Sequence, residues 1–280
     1  MAERLSDVIL IEVLVHDNPK NTVQSVAKVF GVLKAFDPSL PELTITEVGN
    51  RAGLDRGTSF RLVHTLCQLG YLAPVPHSRR YRMTLKCLEL GYASLARSDL
   101  NNIARQRLRD LVPAVADAAS LGMLDDTDVV YIERVQGALP QLNLDRRIGS
   151  RTSAYSAALG HAILAWLPVE QHRDIIVRSN RVKVSEKTLI GIEELMARLR
   201  KVRKQGYAVS DGENAYGLRT VAAPVLDLDG APIAGVSLTI HAGRTSMTEF
   251  KQRALPEVLA LADQLSRAVR LSFGAIAVSR

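Results

Sequence analysis

The sequence predicts an α+β fold in two parts: a small front domain of helices with a two-stranded wing, and a larger back domain around a central sheet. Three observations support this. A chain of 280 residues suggests about two domains, and 47% apolar residues is enough for each to bury a core. Two short helical patterns around Gly53 precede a Pro-flanked hairpin. Farther along, strand-like and helical segments alternate.

Positive charge is concentrated at the front of the chain. The formal net charge is +7 and the pI is near 9.6. Residues 19–97 contain 11 Lys/Arg against 5 Asp/Glu, a net of +6, whereas residues 99–280 contain 24 against 20, a net of +4 over more than twice the length. This asymmetry favours a polyanionic partner for the front domain.

The cysteines and the first residues indicate where the protein works. Cys67 and Cys87 lie in helical sequence without metal or redox-motif spacing, which predicts buried thiols in a reducing cytoplasm. Within residues 1–22, the apolar run from Val8 to Val15 is interrupted by an acidic residue and lacks a basic leader. That run is too short for a membrane span and poor as a signal peptide. We interpret residues 1–22 as an N-terminal arm and expect no membrane contact.

The front domain begins with a helix in "SVAKVFGVLKAF" that ends near Phe36. Its apolar spacing predicts that Val26, Val29, Phe30 and Leu33 face inward. The third helix of the domain has the same apolar spacing. Its predicted inward residues are Leu62, Val63, Leu66 and Leu69.

The second helix and the turn after it carry local start and stop signals. Thr44 stands three residues before Glu47, a capping-box pattern that begins a helix running to about Ala52. Gly53 supplies the turn, and Asp55 is the predicted N-cap of the third helix. Two crossing helices joined by a glycine turn predict a helix-turn-helix whose last helix enters a DNA major groove.

A basic hairpin strengthens this interpretation. In "YLAPVPHSRRYRMTL", Tyr81 and Met83 alternate after a tip at His77, as in a two-stranded wing. Arginines on a wing suit phosphate or minor-groove contact. The candidate DNA contacts come from the start of the second helix, the third helix and the wing. They are Thr44, Arg56, Gly57, Thr58, Phe60, Arg61, His64, Arg79 and Arg80. A solvated charged face is the ordinary alternative for such a set.

Residues 23–91, from "SVAKVFGVLKAF" through "LTITEVGNRAGLDRGTSFRLVHTLCQLGYL" to "RRYRMTLKCLELG", resemble the winged helix-turn-helix domain of the IclR family of bacterial transcription regulators. The chain departs from that family's pattern on the third helix. The family often has Pro, Ser, Ala and His where this chain has Asp55, Gly57, Ser59 and Phe60. An operator sequence is therefore not implied by the resemblance.

The back domain follows a helical stretch predicted from Lys86 to about Ser120. We place the winged domain at 23–85, a linker helix at 86–98 and the back domain at 99–280. Strands are predicted at 129–135, 139–145, 220–226 and 232–241, with helices at 155–167, 191–204 and 248–271.

An enzymatic back domain is the first alternative. Ser153, Ser156, His161, Asp211 and Glu213 invite a Ser-His-Asp hypothesis. The chain nevertheless lacks a nucleophile-elbow motif, a zinc-protease motif and a glycine-rich phosphate loop. His161 is better interpreted as a structural histidine in an amphipathic helix. We expect no catalytic residue, no metal site and no cofactor.

The segments "IGSRTSAYSAALGHAILAWLP" and "RKQGYAVSDGENAYGLRTVAAPVLDLDGAPIAGVSLTIHAGR" resemble the effector-binding domain of the same family. The resemblance implies a GAF-like fold that holds a small organic acid, within a homodimer or homotetramer on double-stranded operator DNA. It implies these pocket positions: Leu144, Thr152, Ala158, Leu159, Ser210, Leu218, Thr220, Ser237 and Thr239. Strand parity independently puts Ser237 with Thr239 and Leu218 with Thr220.

A pocket that binds an organic acid needs a cation to neutralise the ligand's carboxylate. Arg219 alternates to the face opposite Thr220, whereas Arg146 shares parity with Leu144, so Arg146 is the candidate. Short stretches such as "NLDRRIGSR" resemble the branch that controls protocatechuate and β-ketoadipate breakdown, which implies an aromatic or dicarboxylic acid. The alternatives are a back domain that only oligomerises, and a regulator of glyoxylate-type or sugar-acid metabolism.

Overall fold

The computed structural model describes residues 23–37, 39–95, 99–137 and 146–278. The predicted N-terminal arm, the predicted strand at 139–145 and the pocket candidate Leu144 lie outside these residues. The chain divides into two compact units between Ser94 and Leu95. In the described part of the chain, no helix is both long enough and apolar enough to cross a membrane.

Unit 1 contains four helices and a three-stranded antiparallel sheet of order β1-β3-β2 in its described residues. Its elements are α1 Gln24–Lys34, β1 Glu42–Thr44, α2 Ile45–Ala52, α3 Arg56–Gln68, β2 Leu72–Pro74, β3 Arg80–Met83 and α4 Cys87–Leu95. The core lies between the helices and the sheet and includes Leu43, Val48, Val63, Leu66 and Leu72. This is the predicted winged helix-turn-helix, and α4 lies within the range predicted for the linker helix.

The predicted inward faces of α1 and α3 are partly wrong. Val26 and Phe30 are 52% and 49% exposed, and the buried residue of α1 is Val32. The core lies against the C-terminal end of α1, so burial shifts toward that end. Leu69 is 54% exposed because α3 ends at Gln68, and Leu69 is already the cap residue.

Unit 2 has three layers around one six-stranded antiparallel sheet of order β6-β5-β4-β9-β8-β7. Its elements are α5 Asp99–Leu111, β4 Ala118–Asp125, β5 Asp128–Gln136, β6 Arg151–Ser153, α6 Ala158–Leu164, α7 Val169–Arg178, α8 Ile192–Gln205, β7 Ala208–Asp211, β8 Leu218–Leu226, β9 Pro232–His241 and α9 Met247–Val278. Helices α5 and α9 pack on one face of the sheet, and α6, α7 and α8 pack on the other. The α+β prediction is confirmed.

The prediction of a helix that continues to Ser120 is wrong. Helix α5 ends at Leu111, and Ala118–Asp125 is a central strand of the sheet. The first five residues of this strand are buried, so its apolar run is continuous and does not alternate. Periodicity alone cannot separate such a run from a buried helix. The strands Arg151–Ser153 and Ala208–Asp211 and the helix Val169–Arg178 were also missed.

Candidate nucleic-acid interface and ligand pocket

Local hydrogen bonds fix the two crossing helices of unit 1. The backbone N–H of Thr44 donates to Glu47 Oε2 at 2.7 Å, and the backbone N–H of Glu47 donates to Thr44 Oγ1 at 3.3 Å. This is the predicted capping box at the start of α2. Gly53 ends that helix with φ +65, a conformation that glycine adopts without strain. Asp55 then caps α3, because its Oδ1 accepts the Thr58 N–H at 2.9 Å.

Helix α3 presents the predicted outward face to solvent. Arg56, Gly57, Phe60, Arg61 and His64 are all exposed, and the rings of Phe60 and His64 stack with centroids 6.3 Å apart. On the opposite side, Ser59, Val63 and Leu66 are buried. Thr58 is half-buried beside its cap. The exposed face therefore combines two arginines with a paired aromatic and imidazole surface at the N-terminal half of the helix.

The wing differs in one respect from the predicted arrangement. Arg79 and Arg82 are exposed, but the Arg80 guanidinium contacts unit 1 itself. Its Nη1 donates to the Glu42 carbonyl at 2.8 Å and to Glu47 Oε2 at 3.2 Å, and its Nη2 donates to Glu47 Oε1 at 3.3 Å. Thr44 is occupied in the same way, since its hydroxyl donates to Glu47 Oε2 at 2.9 Å. The hydrogen bonds of Arg80 and Thr44 to Glu47 therefore connect the wing to the start of α2.

Unit 2 contains a cavity on the sheet face that packs against α6. Its volume is about 20 Å³, enough for about one water molecule. This face is therefore nearly closed. Eight of the ten predicted pocket residues line the cavity: Arg146, Ala158, Leu159, Ser210, Leu218, Thr220, Ser237 and Thr239. Thr152 does not line it, but its Oγ1 accepts a hydrogen bond at 3.1 Å from Asn214, which does.

The hydroxyl groups of the cavity come from neighbouring strands in register. Thr220 on β8 pairs with Thr239 on β9, and their Oγ1 atoms are 3.0 Å apart. Ser210 on β7 pairs with Thr220, and Ser237 lies two residues before Thr239 on the same face. The parity prediction is confirmed. These strands give one side of the cavity a row of hydroxyls.

A residue that the sequence prediction missed, Arg134 on β5, supplies a second cation. Its Nη1 donates to Ser120 Oγ at 2.8 Å and its Nη2 to Gln136 Oε1 at 3.2 Å, while its buried Nε has no hydrogen-bond partner among the described residues. Burial lowers the pKa of Arg134, and the charge of Arg146 lowers it further. Both guanidinium groups lie over the Tyr131 ring, at 5.6 and 5.9 Å from its centroid.

A β-bulge determines which residues of β5 face the cavity. Ser120 of β4 pairs with Arg134, but Gly122, two residues farther on, pairs with Tyr131. Three residues of β5 therefore span the length of two on β4, and Tyr131 and Arg134 face the same side although three positions separate them. Bulges re-aim side chains in this manner and are frequent beside binding sites.

The hypothetical Ser-His-Asp set does not assemble. The buried His161 is bonded through Nε2 to the Tyr155 carbonyl at 2.6 Å, and burial lowers its pKa to about 4. Asp211 pairs with Arg219 at 3.0 Å, and the Ser156 hydroxyl donates to the Ser153 carbonyl at 3.2 Å. The side chains of His161, Asp211 and Ser156 therefore each have a partner outside the hypothetical set. Among the residues described, none of the His, Cys, Asp and Glu side chains form a cluster of three that could hold a metal ion.

A capped helix-turn-helix with a basic wing, followed by an α+β unit with a closed polar cavity, defines the class of DNA-binding transcription regulators. Comparison with known families specifies the class further. Residues 25–76 match the IclR helix-turn-helix domain, and residues 92–267 match the C-terminal domain of bacterial IclR transcriptional regulators. The chain belongs to the IclR family of transcription regulators, and its relatives are regulators and not enzymes.

Individual relatives agree with this assignment. The HTH-type transcriptional regulator KdgR of Escherichia coli (strain K12) is 33% identical over 258 residues, 92% of this chain and 95% of its own. The Pca regulon regulatory protein of Pseudomonas putida is 32% identical over 241 residues, 86% of this chain and 82% of its own. The crystal structure of an IclR transcriptional regulator from Alicyclobacillus acidocaldarius has 26% identity and a TM-score of 0.76, covering 88% of this chain and 98% of its own. Two differently named regulators at similar identity do not single out the predicted branch.

Proposed function

We propose that this regulator binds operator DNA through α3 and the wing, binds a small organic anion in the cavity of unit 2, and changes its operator affinity when the anion binds. The observation that carries the proposal is the half-buried Arg134, whose buried Nε has no hydrogen-bond partner among the described residues, in a cavity lined by eight of the ten residues expected from the sequence. A buried N–H without a hydrogen-bond partner is costly, and an anionic ligand would remove that cost.

On the DNA side, base reading falls to the exposed face of α3. Arg61 and Arg56 are suited to guanine edges, and Phe60 offers apolar contact to a thymine methyl group. Arg79 and Arg82, which are exposed, are better placed for phosphate contact than Arg80, which is held by Glu47. The protein would act in the cytoplasm as a homodimer or homotetramer on a partly palindromic operator. The proposed functional limits are 23–85 for DNA binding, 86–98 for the linker helix and 99–280 for ligand binding and oligomerisation.

On the ligand side, the cavity suits a small acid. The cavity volume of about 20 Å³ is far below that of ligand pockets, so the side chains of the lining must move apart when a ligand enters. Relatives named for the Pca regulon and as KdgR leave two pathways open. We propose an aromatic or dicarboxylic acid, such as protocatechuate or β-ketoadipate. A sugar acid or a glyoxylate-type acid is the alternative.

The rival hypothesis is a back unit that only oligomerises. An interface role alone would not call for two guanidinium groups and several hydroxyls inside one closed cavity. Buried polar groups are normally satisfied by partners within the protein, and Arg134 Nε is not satisfied by any described residue.

The ligand test is calorimetric titration of a panel of aromatic, aliphatic and sugar acids into the full-length protein, with and without operator selected from random duplexes. The variants are Ser237→Ala and Arg146→Met, and the control is Arg173→Met, at a surface arginine paired with Glu193. We expect weaker binding in the two cavity variants and not in the control. Ligand and DNA must alter each other's affinity by the same factor. Equal binding in all four proteins would remove the site from the cavity.

The DNA test separates base reading from general affinity. Arg61→Ala should cost about 1–3 kcal/mol on the selected operator and reduce the ratio of specific to random binding. Arg253→Ala, at an exposed arginine of unit 2, is the matched control. An unchanged ratio in Arg61→Ala would show that another face of α3 enters the groove.

A further inference from the structure

An open groove in unit 2 lies outside the closed cavity. Its volume is about 660 Å³, and it shares no lining residue with that cavity. One part of it is lined by Trp166 and Leu167, which join α6 to α7, and by Val169 at the start of α7. Another part is lined by Met196 and Leu199 of α8. We call this feature the α7–α8 groove.

The surface of the α7–α8 groove is largely apolar. Met196 and Leu199 are buried, and Trp166 and Leu167 are half-buried. Val169 is 58% exposed. An apolar surface that polar residues surround marks a site of association with another molecule. The groove therefore has both the space and the surface to receive apolar side chains.

The rim of the groove is basic. Four exposed cations occupy the last two turns of α8: Arg200, Lys201, Arg203 and Lys204. Three of them line the groove, where Asp229 is the only acid among the described lining residues. No salt bridge joins any of the four to a described acid, although Arg198 of the same helix pairs with Glu213 at 3.0 Å. The helix dipole favours cations at this end of α8 but leaves their charge unneutralised.

The charged rim and the apolar surface meet at Trp166. The Arg203 guanidinium lies over the Trp166 ring, 4.8 Å from its centroid. A guanidinium that stacks on a ring keeps the N–H donors at its edge, which match the geometry of a carboxylate. A molecule that fills the groove therefore has to offer carboxylates and apolar side chains next to each other.

This requirement separates two kinds of acidic partner. A DNA backbone supplies phosphates for the α8 cations but no apolar groups for Leu167 and Val169. An amphipathic helix with acidic residues beside its apolar row supplies both, and such helices bind in apolar grooves through side chains at i, i+3, i+4 and i+7. The composition of the groove therefore favours a protein over a nucleic acid.

We propose that the α7–α8 groove docks an acidic amphipathic helix of a partner protein, with the apolar row of that helix against Trp166 and Val169 and its carboxylates on the cations of α8. The groove shares no residue with α3, the wing or the closed cavity. The regulator would then have a surface for protein recruitment besides the surfaces proposed for operator and ligand.

The experiment uses the fluorescence of Trp166, the only tryptophan of the chain, so that the signal reports on the groove itself. The first probe is a synthetic helix with Leu at i, i+3, i+4 and i+7 and Glu elsewhere. Its matched controls are the same helix with Lys in place of Glu and a helix of the same composition with the leucines spread around its circumference. Random duplex DNA is the fourth probe.

The proteins are the full-length wild type, Arg200→Glu and Val169→Asp, with Arg253→Glu as the matched charge reversal. Arg253 is an exposed residue of α9, which packs on the opposite face of the sheet. Urea unfolding checks that each variant folds. If Val169→Asp does not fold, Val169→Thr is used, and it should show a smaller loss in the same direction.

The acidic amphipathic helix should change Trp166 fluorescence saturably in wild type and in Arg253→Glu, and the Lys helix should not. Arg200→Glu should weaken this binding about 2- to 10-fold, because one favourable charge pair becomes a repulsive one. Val169→Asp should weaken it about 10-fold or more, because an apolar contact is lost. Added salt should weaken binding to wild type more than binding to Arg200→Glu.

Several results would overturn the proposal and leave the proposed function standing. Among them are a basic or rearranged helix that binds as tightly as the acidic one, equal affinities in wild type, Arg200→Glu and Val169→Asp, and the absence of any binding. A response of Trp166 to duplex DNA but not to the acidic helix would make the groove a nucleic-acid surface. Reduced self-association of Val169→Asp in sedimentation equilibrium, without peptide binding to wild type, would assign the groove to a second copy of the chain. Displacement of the acidic helix by a synthetic peptide of residues 1–22 would assign it to that segment.

Discussion

A substitution at Gly160 tests whether the cavity requires the close approach between α6 and the turn that precedes it. A Cβ atom at this position would lie 2.2 Å from the carbonyl oxygen and 2.4 Å from the Cα of Ala154. Ala154 is backbone of the preceding turn, and its N–H donates to the Thr127 carbonyl at 3.0 Å. His161, the next residue, bonds to the Tyr155 carbonyl of the same turn at 2.6 Å. The turn is thus held from two sides and cannot easily yield to a methyl group.

The expected effect of Gly160→Ala is the difference between two opposing contributions. In a helix without tertiary constraint, alanine is more stable than glycine by about 1 kcal/mol. Overpacking costs typically about 1–3 kcal/mol and more where backbone must move. Because both nearest atoms here are backbone, we expect the clash to exceed the propensity gain and the net destabilisation to be about 2 kcal/mol. For a unit of this size that is a decrease in Tm of roughly 4–8 °C.

A displaced α6 should also disturb ligand binding, because Ala158 and Leu159 line the cavity from this helix. Gly91→Ala is the matched control, since Gly91 is also helical and a Cβ there meets no atom of the described residues within 4 Å. Urea and thermal unfolding, followed by titration with the acid that binds wild type, provide the measurements. A Gly160→Ala protein at least as stable as wild type, with unchanged ligand affinity, would refute the packing argument.

Three further predictions concern both units. Arg82→Met should lower the slope of log affinity against log salt by about one. Arg80→Met should leave this slope unchanged and instead lower the stability of unit 1, because Arg80 is bound to Glu47. A changed slope in Arg80→Met would contradict this. Replacing each operator thymidine in turn by deoxyuridine should lower the affinity of wild type about fourfold at one position, because a buried methyl group contributes about 0.8 kcal/mol. The same replacement should not change the affinity of Phe60→Ala. The pKa of His161 is lowered from 6.5 to about 4, so the unfolded state binds the proton first. The free energy of unfolding should therefore fall as pH drops from 6.5 towards 4, by at most about 1.4 kcal/mol per pH unit. Urea unfolding of His161→Gln should lack this contribution, and identical slopes of unfolding free energy against pH in wild type and variant would exclude it.

Features of the structure that neighbouring residues determine could be predicted from the sequence. The capping box of Thr44 and Glu47 and the turn at Gly53 were predicted because each signal acts within a few positions of the chain. Strand Pro232–His241 was predicted with its bounds, since it is long and rich in β-branched residues. The family resemblance implied the hydroxyl side of the cavity, and the regular alternation along this strand and β8 agrees with it.

Prediction failed where the outcome depends on distant contacts. The helical spacing of α1 is real, but which residues it buries depends on how far along the helix the core extends, and Val26 and Phe30 remain exposed. The run from Ala118 to Leu121 is buried whether it is a strand or a helix, so only its pairing with β5 and β9 decides between the two. Arg134 belongs to the same group, because a bulge is a property of two paired strands.

The bulge in β5 has consequences on both faces of the sheet. It turns Arg134 into the cavity, and the preceding residue, Glu133, faces the other side, where its buried carboxylate accepts a hydrogen bond from Arg105 Nε of α5 at 2.9 Å. The carboxylate also accepts the Arg134 backbone N–H at 3.3 Å. The cation of the cavity is therefore one peptide bond from the ion pair that attaches the first helix of unit 2 to the sheet. We expect a carboxylate that shifts Arg134 to change the geometry of this ion pair, since close-packed interiors transmit small displacements. Ligand binding would then reach α5, the helix that follows the junction between the units, without any change in the sheet's pairing.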